Sequence, residues 1–187
     1  MANNKGVCPT EIAGGLDNRF RRLFQNPHKI LEHYIQKGMT ILDLGCGPGF
    51  FSIAAAELVG AKGKVIAVDL QEGMLSKVSN NVKGTKIEKR IKLHKCGESK
   101  ISVSDKVDFL LAFYMVHEVP NKEGLFKEIK SILKPDGKAL IVEPKFHVSK
   151  KAFEETEELV RKIGFEVIEQ PKIFISRAIV LRNTNPK

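Results

Sequence analysis

The sequence predicts an open α/β sheet with helices on both faces. Three observations carry that prediction. Short apolar or β-branched runs alternate with amphipathic stretches, glycines cluster between the first run and the helix after it, and a carboxylate closes the second run. The 187 residues are about one domain's worth and can bury a large core. With 42% hydrophobic and 28% charged residues, the composition excludes global disorder, a collagen-like repeat and a disulfide scaffold.

The pattern assigns the elements in order. A helix begins near Pro27, and Ile41–Leu44 is a short apolar strand that runs into Gly45-Cys46-Gly47-Pro48-Gly49. Phe50–Val59 reads as an alanine-rich helix closed by Gly60, Lys64–Asp69 as a β-branched strand and Gly73–Val82 as a second helix. Ile91–His94 is a weaker strand. Val107–Phe113 is apolar nearly throughout, as strands covered on both faces are. Lys122–Leu133 is amphipathic and stops at the turn Lys134-Pro135-Asp136-Gly137. Ala139–Glu143 is a fifth strand, Ser149–Ile163 a charged helix ending at Gly164, and Phe165–Glu169 and Ile173–Leu181 are close enough to pair antiparallel.

Location and partners are bounded by simpler features. The longest uncharged apolar stretch, Phe109–Val116, falls far short of the ~20 residues a membrane helix needs. The polar start Met1–Lys5 leads into no signal core, so a cytoplasmic protein is expected. Cys8, Cys46 and Cys96 lie far apart with no CxxC and no histidine at zinc-finger spacing, as reduced thiols do. A reactive or metalloid-binding role for Cys8 and Cys96 is the alternative, and no metal site is expected. The net charge of +9 is concentrated in residues 62–106, which carry +6, from Lys62 through Lys83, Lys86, Lys89, Arg90, Lys92 and Lys95 to Lys106. Such a block is either a solvated lysine face or a field for an anionic partner. Few aromatic residues interleave with it, so nucleic acid is not the favoured partner.

Ligands of open α/β sheets gather at the carboxyl ends of the strands. Here Gly45, Gly47 and Gly49 let backbone approach a ligand closely. Asp69, ending the next strand, is placed to accept hydrogen bonds from ribose hydroxyls. The dinucleotide fingerprint GxGxxG would need glycine at position 50, which is Phe50. Asp43, two residues ahead of the loop, would repel a pyrophosphate and suits a cationic ligand such as a sulfonium.

Four blocks then carry a resemblance: ILDLGCGPGF (41–50), VIAVDLQEGML (65–75), VDFLLAFYMVHEV (107–119) and LKPDGKALIVE (133–143). The chain resembles the class I S-adenosylmethionine-dependent methyltransferases, in the group that includes the ubiquinone/menaquinone C-methylases and the type 11 small-molecule enzymes. The resemblance implies a Rossmann-like, seven-stranded, mostly parallel sheet in the order 3-2-1-4-5-7-6 with strand 7 antiparallel. It implies S-adenosylmethionine as cofactor and S-adenosylhomocysteine as product. Asp43 and the Gly45–Gly49 backbone, Cys46 and Gly47 included, would line the methionine end, and Asp69 would hold the ribose. Leu70 and Met74 would pack on the adenine, with an ordinary core methionine as the alternative for Met74. Gly97 and Glu98 would lie at the adenine edge, and Ala112 and Phe113 would border the methyl-donor centre. The family often carries Asp or a small residue near Cys96, and this chain departs from that pattern there.

Methyl transfer demands alignment first, and a base only where the acceptor must lose a proton early. The candidates are Tyr114, His117 and Glu118: His117 as base with Glu118 or Tyr114 orienting it, or as a loop histidine that only shapes the pocket. His117-Glu118 is not HExxH, because position 121 is Asn. Residues 1–37 are expected to form a helical cap on a catalytic core of 38–187. Phe20, Leu23 and Phe24 would face inward, either closing over the site or packed permanently on the sheet. The expected activity is methyl transfer to a small-molecule acceptor through oxygen, sulfur, carbon or a metalloid. An RNA or protein methyltransferase, or a non-catalytic cofactor-binding protein, are the alternatives. Neither the Asn/Asp-Pro-Pro-Tyr signature of base amino-methylases nor a Pro-Cys nucleophile follows the fourth strand.

Overall fold

The computed structural model describes residues 26–184; Cys8 and residues 1–25 of the expected cap lie outside them. Seven strands form one sheet: β1 (Thr40–Leu44), β2 (Lys64–Asp69), β3 (Ile91–Lys95), β4 (Val107–Phe113), β5 (Leu133–Pro144), β6 (Phe165–Glu169) and β7 (Ser176–Asn183). Their order is β3-β2-β1-β4-β5-β7-β6, as expected. β1 to β5 run parallel, and β7 is antiparallel to both β5 and β6. Side-chain alternation sorts the core into two faces. Ile41, Val65, Phe109 and Leu111 meet α1 (Pro27–Leu31) and α2 (Phe50–Leu58), whereas Leu42, Ile66, Leu110 and Ile141 meet α4 (Lys122–Ile132) and α5 (Lys150–Ile163). Ala67 packs on Leu75 and Val78 of α3 (Glu72–Val82). Of residues 1–37, the described end joins the core: Leu31 and Ile35 are buried, and the Tyr34 ring stacks on Phe109 at 5.7 Å.

Two boundaries differ from the sequence reading, each for a backbone reason. The turn expected at Lys134–Gly137 is an irregularity inside β5. Leu133 already pairs with Val107, Asp136 takes a left-handed φ of 60°, and the ladder resumes at Lys138 opposite Phe109. Pro135 has no N–H to give a ladder, so the strand bulges there instead of breaking. The last strand starts at Ser176 rather than Ile173, because Ile175 has a φ of 50°, outside extended geometry.

Asp108 pins the edge where the parallel strands begin. Its carboxylate accepts the Thr40 N–H at 2.8 Å and the Lys134 ammonium at 2.8 and 2.9 Å, joining β1, β4 and β5. The opposite edge, where those strands end, therefore holds the loops while the frame stays fixed. Within that frame Phe126 of α4 is completely buried among aliphatic side chains. Phe126→Ala is expected to destabilise the fold by ~3–5 kcal/mol, read from urea unfolding.

Candidate active site

The carboxyl ends of the parallel strands bring most of the expected residues to one edge. After β1 the chain turns sharply, and the Gly45 and Cys46 N–H groups both donate to the Val68 carbonyl at 2.8 and 2.9 Å. Gly45 has a φ of 71°, and a Cβ there would stand 2.9 Å from the Cβ of Met115, so only glycine lets the loops after β1 and β4 touch. Gly49 is the N-cap of α2 with no side-chain cap, and Val78 of α3 closes against it. Around Gly47 a Cβ would meet nothing within 4 Å, so the loop is open at that point.

Two carboxylates underlie this loop. Asp69, 8% exposed, accepts the Gly47 N–H and the Gln71 N–H, each at 2.9 Å, one on each oxygen. A carboxylate has further lone pairs, so these bonds leave acceptor capacity for hydroxyls. Asp43, 3% exposed, faces α2 and accepts the Ser52 hydroxyl at 2.5 Å. Burial pushes its carboxyl up to about 6, Ser52 opposes that rise, and the negative field of Asp69 adds to it. Among the described residues, no lysine, arginine or histidine lies within salt-bridge distance of Asp43 or Asp69. Two buried carboxylates without a cation between them form a site electrostatically suited to a cationic ligand.

The other cofactor positions fall around this centre. Leu70 is half-buried directly after Asp69, and Met74 is buried in α3. The Cys96 N–H donates to the Asp69 carbonyl at 3.1 Å, and Gly97 and Glu98 are exposed just beyond it. Ala112 is fully buried and pairs with Leu44, while the Phe113 ring lies 4.3 Å from that of Phe51. Burial raises the thiols of Cys46 and Cys96 above their ordinary value and keeps them protonated at neutral pH.

Beyond β4 the structure supplies a residue that the sequence reading did not name. Glu143, buried at the end of β5, accepts the Val116 N–H at 3.0 Å and bonds His117 Nδ1 at 2.6 Å. The carboxylate orienting His117 is thus Glu143, not Glu118, and the Tyr114 hydroxyl shares a 2.6 Å hydrogen bond with Ser176. The same signal that marked Asp69, an acid closing an apolar strand, marks Glu143 in Ala139–Glu143. The hydrogen bond to Glu143 raises the His117 pKa, with partial burial opposing it. Desolvation raises that of Glu118. Tyr114 has a φ of 61°, held by its N–H on the Val142 carbonyl at 2.8 Å. Aromatic rings continue from Phe113 through Tyr114 and Phe146 to His147, which meets His117 edge to face at 5.4 Å.

Elsewhere, no group of three or more His, Cys, Asp or Glu among the described residues could hold a metal ion. No helix among them is long and apolar enough to cross a membrane. Part of the basic block is already used: Lys64 and Lys92 both close on Asp105, Lys95 on Glu72, and Arg90 donates to the Ala56 carbonyl.

Residues 35–176 match the family described as "Methyltransferase domain". Demethylmenaquinone methyltransferase of Lactobacillus johnsonii is 32% identical over 71% of this chain and 52% of its own length. Arsenite methyltransferase of Halobacterium salinarum is 33% identical over 56% of this chain and 27% of its own. The chain thus spans about half the length, or less, of these curated relatives. A crystal structure of a SAM-dependent methyltransferase from Aquifex aeolicus superposes with a TM-score of 0.83 at 26% identity, covering 94% of this chain and 99% of that one. The matched span runs from before β1 to the start of β7, and on that ground the chain belongs to the methyltransferase domain family, in its class I, S-adenosylmethionine-dependent form.

Proposed function

We propose that this protein transfers a methyl group from S-adenosylmethionine to a small organic acceptor that gives up a proton. The observation that carries the reading is the pair of buried, cation-free carboxylates Asp43 and Asp69 under the open glycine loop. When bound, the cofactor supplies an electrophilic methyl on a positively charged sulfur. Asp69 would hold the ribose hydroxyls, Asp43 would contribute the negative field favouring the sulfonium, and Gly45–Gly49 would let the backbone approach. Leu70 and Met74 would flank the adenine, and Gly97-Glu98 its edge.

The acceptor side follows from the loop after β4. With Nδ1 tied to Glu143, a neutral His117 carries its proton on Nδ1 and keeps the Nε2 lone pair to take one from the acceptor. Glu143 is a positioning residue that fixes the tautomer and stabilises the imidazolium formed. The Phe113 and Tyr114 rings supply an apolar wall that orients a flat acceptor and excludes water. The relatives named above act on demethylmenaquinone and on arsenite.

The direct test is incubation with labelled-methyl S-adenosylmethionine and cell extract separated into small molecules, RNA and protein. Label in the small-molecule fraction is expected, and label confined to RNA or protein overturns the reading. Asp69→Ala should weaken cofactor binding by ~1–3 kcal/mol in calorimetry, the scale of lost charged hydrogen bonds. Cofactor affinity should fall as pH drops through about 6, where Asp43 takes up a proton, and Asp43→Asn should flatten that dependence. The sign for stability is opposite: a carboxyl raised by folding stabilises the fold at low pH and loses that contribution as pH rises through about 6. Asp43→Asn should therefore leave the free protein more stable at pH 7, by about 3 kcal/mol in urea unfolding. With the labelled acceptor in hand, kcat should rise with pH, with a midpoint above the ordinary histidine value. Glu143→Gln should lower both kcat and that midpoint, because the raised His117 pKa depends on the carboxylate.

A further inference from the structure

Among the described residues four large hydrophobic side chains are exposed, and three of them lie together on two loops beside the site: Phe146 at 67%, Phe174 at 53% and Ile175 at 48%. Phe146 follows β5, while Phe174 and Ile175 precede β7. Pro144 and Ser176 form the last pair of that ladder, and the Lys145 N–H reaches the Ile175 carbonyl at 3.0 Å. Ile175 holds its side chain there at a φ of 50°, which a β-branched residue adopts only at a cost. The Phe146 ring lies 6.4 Å from that of Tyr114, so the cluster is continuous with the candidate active site. Four exposed lysines flank it along the chain: Lys145, Lys150 and Lys151 within five residues of Phe146, and Lys172 two residues before Phe174. Lys150 reaches Glu154 at 3.5 Å, and the other three have no carboxylate within salt-bridge distance among the described residues.

Clustered exposed apolar side chains flanked by lysine are what binding to an anionic lipid surface requires: apolar groups enter the interface and the ammonium groups meet the headgroups. We infer that this rim docks the protein on an anionic bilayer, with the mouth of the site against the lipid, so that the acceptor is taken from the membrane. A second copy of the chain fits the rim poorly, because a two-fold contact would bring the lysines against their like. The active-site reading adds the direction of the mouth, but the lipid contact itself is separate from methyl transfer.

The test is co-sedimentation of the full chain with vesicles of phosphatidylcholine alone and of phosphatidylcholine with 30% phosphatidylglycerol, at roughly physiological ionic strength. Binding to the anionic vesicles at least tenfold above the neutral ones is expected. Phe174→Ser with Ile175→Asn should reduce it at least tenfold; asparagine tolerates the left-handed backbone, so this pair spares the fold. Lys145→Gln with Lys172→Gln should reduce binding and its salt dependence together. Calorimetric affinity for S-adenosylmethionine should be unchanged in both variants, which separates failure of docking from failure of the cofactor reading. Equal sedimentation with both vesicle types, no sedimentation, or a concentration-dependent dimer abolished by the same substitutions overturns the proposal.

Discussion

The burial of two carboxylates on neighbouring strands, with no cation between them, governs the site. Asp43 near the end of β1 and Asp69 at the end of β2 are satisfied by the Ser52 hydroxyl and by backbone N–H groups. The sheet is stable enough to bear that arrangement, because the inner residues of β1 and β2 are apolar, buried and paired from Thr40–Lys64 to Leu44–Val68. The free protein thus holds unfavourable electrostatic energy at the place where a cation would relieve it. At Asp43 in particular, the burial that raises its carboxyl also concentrates its field when ionised.

The acceptor side is built differently. There the buried acid, Glu143, has a titratable partner, and the pair His117–Glu143 crosses from the loop after β4 to the end of β5. β4 and β5 are adjacent and in parallel register, with Phe113 opposite Val142, so the loop just beyond β4 meets the last residues of β5. Met115, two residues before His117, touches Gly45 of the donor loop. The glycine loop and the loop carrying His117 therefore belong to one packed unit, and a change in either is felt by the other.

Much of this was legible in the chain. Strand–helix alternation marks the layers, the glycines mark the close approach, and Asp69 is where an acid after the second strand should be. The strand order came from resemblance, since alternation alone cannot rank strands. Glu143 escaped because its partner is 26 residues away and the pairing depends on sheet register, which local pattern does not encode. Ser52 is equally silent: a serine in an alanine-rich helix gives no sign that it donates to Asp43. The bulge at Asp136 and the late start of β7 at Ser176 turn on single positive φ angles. Of these, only the first falls at a Pro-Asp-Gly sequence that announces it.

Asp108 has a consequence at the far end of the molecule. By stitching three strands where they begin, it makes the foot of the sheet independent of what is built at its head. Loops at the head can lengthen, shorten or exchange residues without loosening the frame. A lineage carrying this stitch is free to explore new acceptors through its upper loops while the architecture beneath them is inherited intact.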